Sequence, residues 1–170
     1  MLAVLTCLML LTVVVAPVSA RGIRTTFTGT SYFEEELDPG EFWLEGDQLY
    51  VRGLVERYRI EASDPRIAWY STDISSLNFT LVDEPVVGYG PIWGTSTTDP
   101  DESGGYWSCR AFGYRTQQGF NYHYETCHGH SAYRGLTVRR FISREVTDLQ
   151  GPLNFHGVII DRRGGWPFDD

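Results

Sequence analysis

The chain has 170 residues, 14% of them aromatic and 21% charged, and a formal net charge of −8. An acidic surface without clustered cations argues against nucleic acid and against anionic membrane as partners, because binding phosphate needs concentrated positive charge. All fourteen basic residues are arginine, so every cation is a planar forked donor and none is a lysine point charge.

In chain order, Leu2 to Val15 is apolar apart from Thr6, Cys7 and Thr12, and Pro17-Val18-Ser19-Ala20 supplies the small residues a signal peptidase needs. Residues 1–20 therefore read as a signal peptide cleaved after Ala20, although no Lys or Arg precedes Arg21. A retained anchor is the alternative; against it stands the length of the run, since a membrane-spanning helix needs about 20 apolar residues. The expected location is secreted, extracellular or periplasmic, with no membrane contact after cleavage. Residues 21–161 are read as one domain, about the size that can bury a single core. The tail 162–170, with Gly164-Gly165 and Asp169-Asp170, is expected to be loose.

No sustained helical periodicity runs through residues 21–161; β-branched and aromatic segments alternate with Gly, Pro, Asp and Ser clusters. Thr25 to Glu35 is the first expected strand, followed by a turn at Asp38-Pro39-Gly40. Gln48 to Ile60 is the clearest, with Leu49, Val51, Gly53 and Val55 expected on one face and Arg52, Glu56 and Tyr58 on the other. Ser63-Asp64-Pro65-Arg66 carries a type I turn signal. Ile67 to Val82 is expected as a bent strand, Glu84 to Gly90 as a loop, and Pro91 to Thr97 as a strand closed by the polar cluster from Asp99 to Gly105. Tyr106 to Tyr114, Phe120 to His128, Tyr133 to Ser143 and Leu153 to Asp161 complete about eight strands. Antiparallel strands of that number close into a β-barrel, with a two-sheet β-sandwich as the alternative.

Cys109 and Cys127 remain after cleavage, and an even pair in an exported protein reads as a disulfide. Their midpoint falls in Thr116-Gln117-Gln118-Gly119, a tight-turn sequence, so a hairpin over residues 105–131 sets the two cysteines directly opposite one another.

Gly90-Pro91-Ile92-Trp93-Gly94-Thr95, Gly104-Gly105-Tyr106-Trp107 and Gly129-His130-Ser131-Ala132-Tyr133-Arg134-Gly135-Leu136 carry a pattern of glycines within strands. With Arg52-Gly53, Ser63-Asp64-Pro65-Arg66 and Phe155-His156-Gly157-Val158-Ile159, they resemble secreted bacterial proteins of uncharacterised function with an allene oxide cyclase-like β-barrel, over residues 46–160. The resemblance implies the barrel shared with plant allene oxide cyclases, dirigent proteins and some bacterial cyclases. No catalytic residue of those enzymes maps onto this chain, so their activities are not carried over. Independently of the resemblance, Gly94, Gly105, Gly113 and Gly135 are expected at barrel corners or under aromatic rings.

Candidate chemistry is sparse. His128 and His130 are two apart and His123 lies nearby, but a full ligand set for zinc or copper is missing, and no metal site is expected. No Gly-x-Ser-x-Gly elbow and no phosphate loop is present, so neither a catalytic residue nor a cofactor is assigned. Glu56, Asp73 and Glu125 could act as acid or base only in a dry lumen; solvated positions are expected for them, and Glu34-Glu35-Glu36 reads as an exposed charged edge. Asn78-Phe79-Thr80 is a glycosylation sequon, of consequence only in a eukaryotic host. Trp69, Trp93, Trp107, Tyr122 and Tyr124 are the candidate ligand-binding set, with core packing as the plainer role.

The expected function is a barrel module without catalysis that binds a small hydrophobic ligand in its lumen; the alternative is a lumen enzyme of the cyclase or isomerase class. Self-association into a homo-oligomer is a further expectation. A buried ionisable group with a perturbed pKa inside the lumen would favour the enzyme, and a lumen packed solid with apolar side chains would favour a structural module.

Overall fold

Strand-forming segments pair antiparallel throughout, most of them with their neighbours in sequence, as short connections between β-rich segments dictate. The computed structural model describes residues 22–82, 88–100, 104–145 and 151–161. The expected signal peptide, the tail 162–170, most of the Glu84–Gly90 loop and residues 101–103 lie outside the described residues. Nine strands are present: β1 (Ile23–Asp38), β2 (Glu41–Glu45), β3 (Gln48–Ala62), β4 (Trp69–Thr80), β5 (Gly90–Asp99), β6 (Gly105–Arg115), β7 (Phe120–Ser131), β8 (Leu136–Glu145) and β9 (Leu153–Asp161). Strand β1 pairs with β9 on one side and β3 on the other, closing an eight-stranded antiparallel barrel of β1 and β3–β9. Closure excludes the two-sheet sandwich.

Strand β2 was not expected from the sequence. It pairs only with β3, from Glu41↔Arg52 to Glu45↔Gln48, continuing the line of β1 beyond the Pro39-Gly40 break. Pairing of β1 with β9 ends at Ser31, so the other edge of residues 32–45 is unpaired among the described residues, whereas their β3 partners stay in the barrel wall through pairing with β4. Glu34, Glu35 and Glu36 are exposed on this edge, and charges there discourage pairing with another chain.

Three other boundaries differ from expectation. Ile67 is buried in the turn before β4 rather than in the strand, because the Ile67 N–H donates to the Asp64 carbonyl at 3.1 Å and closes the turn around Pro65. Strand β7 runs on to Ser131, and Tyr133–Gly135 belong to the β7–β8 turn, where Gly135 takes a positive φ of 86°. Gly105 seats an aromatic ring as expected: a Cβ there would lie 2.9 Å from the ring of Tyr133.

The β6–β7 hairpin has the expected register, with Gly105 opposite Ser131 and Cys109 opposite Cys127; the cysteines form a disulfide with Cα atoms 3.9 Å apart. That bond lies within an apolar cluster of Phe27, Trp107, Tyr133, Val138, Phe155, Ile159 and their neighbours, which fills the barrel end closed by the β3–β4 and β7–β8 turns. Trp107 stacks on Tyr133 with ring centroids 5.0 Å apart, and its indole N–H donates to the Arg66 carbonyl at 2.7 Å. The opposite end, on the side of the β6–β7 turn, is hollow.

Candidate functional site in the barrel lumen

The hollow end owes its chemistry to one extra residue. In β3, Arg52 pairs with Ser76 and Leu54 with Ser75, leaving Gly53 as a bulge with φ of 72°. A bulge of one residue exchanges the faces of everything beyond it. Leu54, Glu56 and Tyr58 consequently line the lumen, whereas Arg52 stays outside, its guanidinium over Trp93 at 4.9 Å and over Trp43 at 5.4 Å. The strict alternation expected for Gln48–Ile60, with Leu49, Val51, Gly53 and Val55 on one face, is overturned at this point.

Lumen-facing positions on β3 to β9 line a cavity of about 130 Å³. Glu56 on β3 is paired in register with Asp73 on β4, and Asp73 with Ser96 on β5. Glu125 on β7 lines the same cavity. Thus the three carboxylates expected in solvent all face inward, a correction that follows from the Gly53 bulge for Glu56 and from strand parity for the other two.

Burial shifts these groups away from charge. Burial raises the Glu56 carboxyl above its ordinary range despite a 2.9 Å hydrogen bond from the Tyr58 hydroxyl and the nearby cations Arg144 and Arg115. Asp73 is pushed up to about 7, first by burial and then by the charge of Glu125, although the Ser71 hydroxyl donates to it at 2.6 Å. Tyr58, raised by burial and by the adjacent carboxyl groups, keeps its proton. Glu125 is ion-paired with Arg140, Nε to Oε2 at 2.5 Å, with both side chains buried. His123 is shifted down, chiefly by burial, and its Nδ1 has no hydrogen-bond partner among the described residues.

Toward the β6–β7 turn the lining becomes basic. Arg115, Asn121 and Arg144 are register partners on β6, β7 and β8. Among the described residues, the Nε atoms of both arginines and Oδ1 of Asn121 are buried without hydrogen-bond partners, as is the Ser96 hydroxyl deeper in. Burial, and then the charge of Arg144, lowers Arg115 to about 10. Leu54, Leu77, Ile92 and Leu153 supply the apolar wall. The void itself comes from small side chains: Ser75, Gly94, Ser96 and Ala111 occupy lumen positions where larger residues would fill it.

The five aromatic candidates are not brought together. Trp107 is 1% exposed in the packed core. Trp93 borders the cavity but stacks outward beneath Arg52. Tyr122 and Tyr124 lie on the outer face of β7 against Phe141, with Tyr124 62% exposed. Trp69, 46% exposed and with φ of 115°, lines a separate outer groove with Tyr70 and Tyr106. Strand parity separates these residues, since Tyr122 and Tyr124 are out of phase with Cys127, which points inward.

His128 and His130 share the outer face of β7 and His123 faces the lumen, so the three do not converge. His130 instead accepts or donates a 2.7 Å hydrogen bond with Ser108 and stacks on Tyr106. A group formed by Cys109, Cys127 and Glu125 has ligand atoms within 4.8 Å of one another, but the disulfide occupies both sulfurs and leaves no thiolate to bind a metal. The sequon residue Asn78 is engaged by its side chain, which accepts a 2.8 Å hydrogen bond from Arg52.

Comparison of the chain with models of known families, with curated proteins and with solved structures finds no match to any of them.

Proposed function

We propose that the lumen is a catalytic pocket that encloses a small molecule and moves protons on it, as an isomerase or cyclase does. One observation carries the reading: Glu56, Asp73 and His123, whose Nδ1 has no hydrogen-bond partner among the described residues, surround one cavity with their charged forms disfavoured. Purely structural barrels gain nothing from such groups, because each buried polar atom without a partner costs roughly 1–3 kcal/mol. General acid–base catalysis, in contrast, needs a base that titrates near the working pH and an acid that keeps its proton. Asp73, raised to about 7, can exchange a proton near neutral pH, and Glu56, its register partner, is the other member of the pair. One of the two, as carboxylate, would take a proton from carbon on the bound molecule while the other, as carboxylic acid, delivers one elsewhere, leaving an isomer. A proton passing between the two carboxyl groups restores the starting state, so no oxidant or cofactor enters the balance. The enclosing walls hold one substrate shape, which supplies the positional part of the rate. The disulfide accords with export to an oxidising compartment.

A second reading is a carrier without catalysis, favoured by the apolar wall of Leu54, Leu77, Ile92 and Leu153. To separate the two, the protein is purified from its own culture medium, examined by native mass spectrometry, and incubated in D2O with small-molecule extract of that medium. A compound that gains deuterium or changes isomer with the wild type, but not with Glu56→Gln or Asp73→Asn, supports the enzyme. A stoichiometric ligand that is never altered replaces the enzyme with the carrier. No retained ligand and no altered compound would overturn both readings.

A further inference from the structure

We infer that the lumen recognises its ligand by a carboxylate held between Arg115 and Arg144 at the end of the barrel near the β6–β7 turn. The inference rests on the lumen being a ligand site and adds the chemical class of the ligand. Register places Arg115, Asn121 and Arg144 side by side on β6, β7 and β8, facing inward; adjacent partners on one face have Cβ atoms about 5 Å apart. Both guanidinium groups are anchored by contacts that leave the Nε edge without a hydrogen-bond partner among the described residues. Arg115 lies over the Phe79 ring at 4.5 Å, and Arg144 donates from an Nη to the Gly151 carbonyl at 3.1 Å. The Nε of each is buried and unpartnered, and neither arginine has an ion pair among the described residues.

Two half-buried cations side by side without an ion pair are costly, since a charge withdrawn from water is normally paired. Of the carboxyl groups of the cavity, Glu125 is taken by Arg140, and Glu56 attracts both arginines without an ion pair to either, which leaves the two cations short of one charge. An external anion does supply it, and a free Nε edge is the part of a guanidinium that pairs with carboxylate in two parallel hydrogen bonds. Asn121 is buried between the two arginines. A half-turn of its amide would present Nδ2, an N–H donor, to the same anion.

The apolar wall formed by Leu54, Leu77 and Ile92 then faces the body of the ligand. A cavity of about 130 Å³ is close to one of about 150 Å³ that holds benzene, so the enclosed part is a compact carboxylic acid of about that bulk. Such a molecule presents hydrogens on the carbon next to a carboxylate toward Glu56 and Asp73, which suits the proton transfers proposed above.

The test compares benzoate with benzyl alcohol, its neutral counterpart in size, by calorimetry on the full-length domain. Benzoate is expected to bind at least tenfold more tightly than benzyl alcohol. Arg115→Gln and Arg144→Gln should each remove at least tenfold of that affinity, and Arg139→Gln, exposed on the outer face of β8, should remove none. Because loss of a lumen arginine can impair folding, the arginine Nε–Hε resonances of the wild type give a second readout: two should shift with benzoate and not with the alcohol. Equal binding of acid and alcohol, or shifts confined to exposed arginines, would overturn the carboxylate assignment while leaving the lumen a ligand site. If neither compound binds and the cavity stays empty in protein from its own culture medium, the lumen reading itself fails.

Discussion

The two ends of this barrel are built from the same strands and follow opposite rules. Inward positions on β6 pass from Trp107 and Cys109 at the packed end to Ala111, Gly113 and Arg115 at the hollow end. On β7 they pass from Cys127 to Glu125, His123 and Asn121, and on β8 from Val138 through Arg140 and the buried Ile142 to Arg144. At one end large apolar side chains meet and exclude water, which is where the fold gains its stability. Small residues at the other end leave space, and polar groups are held there at a cost to stability. A barrel of eight strands is just wide enough for side chains to fill it completely, so the void is a property of this sequence and not of the architecture.

The contrast predicts a large penalty for damage at the packed end. Trp107→Ala removes a buried ring, its stack on Tyr133 and its hydrogen bond to Arg66. Such substitutions cost roughly 3–5 kcal/mol, which chemical denaturation should show as a lower midpoint with an unchanged slope. An equally stable variant would mean that the packed end is not where stability resides.

Glu125 sits at the boundary between the ends. Glu125→Gln leaves the buried Arg140 guanidinium facing a neutral amide, and breaking a buried pair on one side costs about 3 kcal/mol. The loss should be largely recovered in Glu125→Leu with Arg140→Met, which removes both charges. Failure of that recovery would show that the pair does more than neutralise itself.

Replacing Cys109 and Cys127 together by Ala is expected to cost about 3 kcal/mol on a chain-entropy estimate for a loop of this length, the two being 18 residues apart. Cavity ligands should be affected little, because the bond lies in the packed cluster. A selective loss of benzoate binding with modest destabilisation would show instead that the hairpin register at Arg115 and Asn121 depends on the bond.

The hairpin was the most legible part of the molecule. Two cysteines equidistant from a turn sequence fix register with no further information, and the observed pairing of Gly105 with Ser131 follows. Strand number and closure were also legible, since turn residues punctuate β-rich segments at short intervals. Strand β2 escaped notice because Glu41–Glu45 is short and its apolar side chains are exposed: Phe42 and Leu44 have no alternation of burial to mark them. The site was half legible. Glu56, Asp73 and Glu125 stood out as chemistry, but their side of the wall did not, because nothing in a sequence marks Gly53 as a bulge rather than an in-register glycine. For β6 and β7 a usable signal existed. A disulfide between opposed strands must lie on one face, so residues at even spacing from Cys109 or Cys127 share it, among them Arg115, Asn121, His123 and Glu125. The same count places Tyr122 and Tyr124 outside.

The smallest expected effect is the most informative about the hollow end. Asp73 has a folded-state pKa of about 7 against an ordinary 3.8, so between about pH 4 and 7 the folded chain holds a proton that the unfolded chain has released. Stability from this group is therefore full below pH 4, falls as pH rises to about 7, and is flat beyond. Glu56, also raised, adds to the fall. His123, shifted down, acts in the opposite sense: the unfolded imidazole takes up a proton below about pH 6.5 before the folded one does, so its contribution is lost as pH falls. The wild-type profile mixes these opposing slopes, and the difference between wild type and Asp73→Asn isolates one of them. Asparagine keeps an acceptor for the Ser71 hydroxyl but brings two N–H groups that need partners in the void. The net gain for the variant should be about 2 kcal/mol at pH 8, below the roughly 4 kcal/mol that a shift of three units would give by itself, and should vanish near pH 4. Denaturation midpoints of the two proteins measured from pH 4 to 8 decide the matter: curves that diverge as pH rises place Asp73 in a dry lumen, whereas parallel curves mean that water reaches it and that it is no base poised for proton transfer.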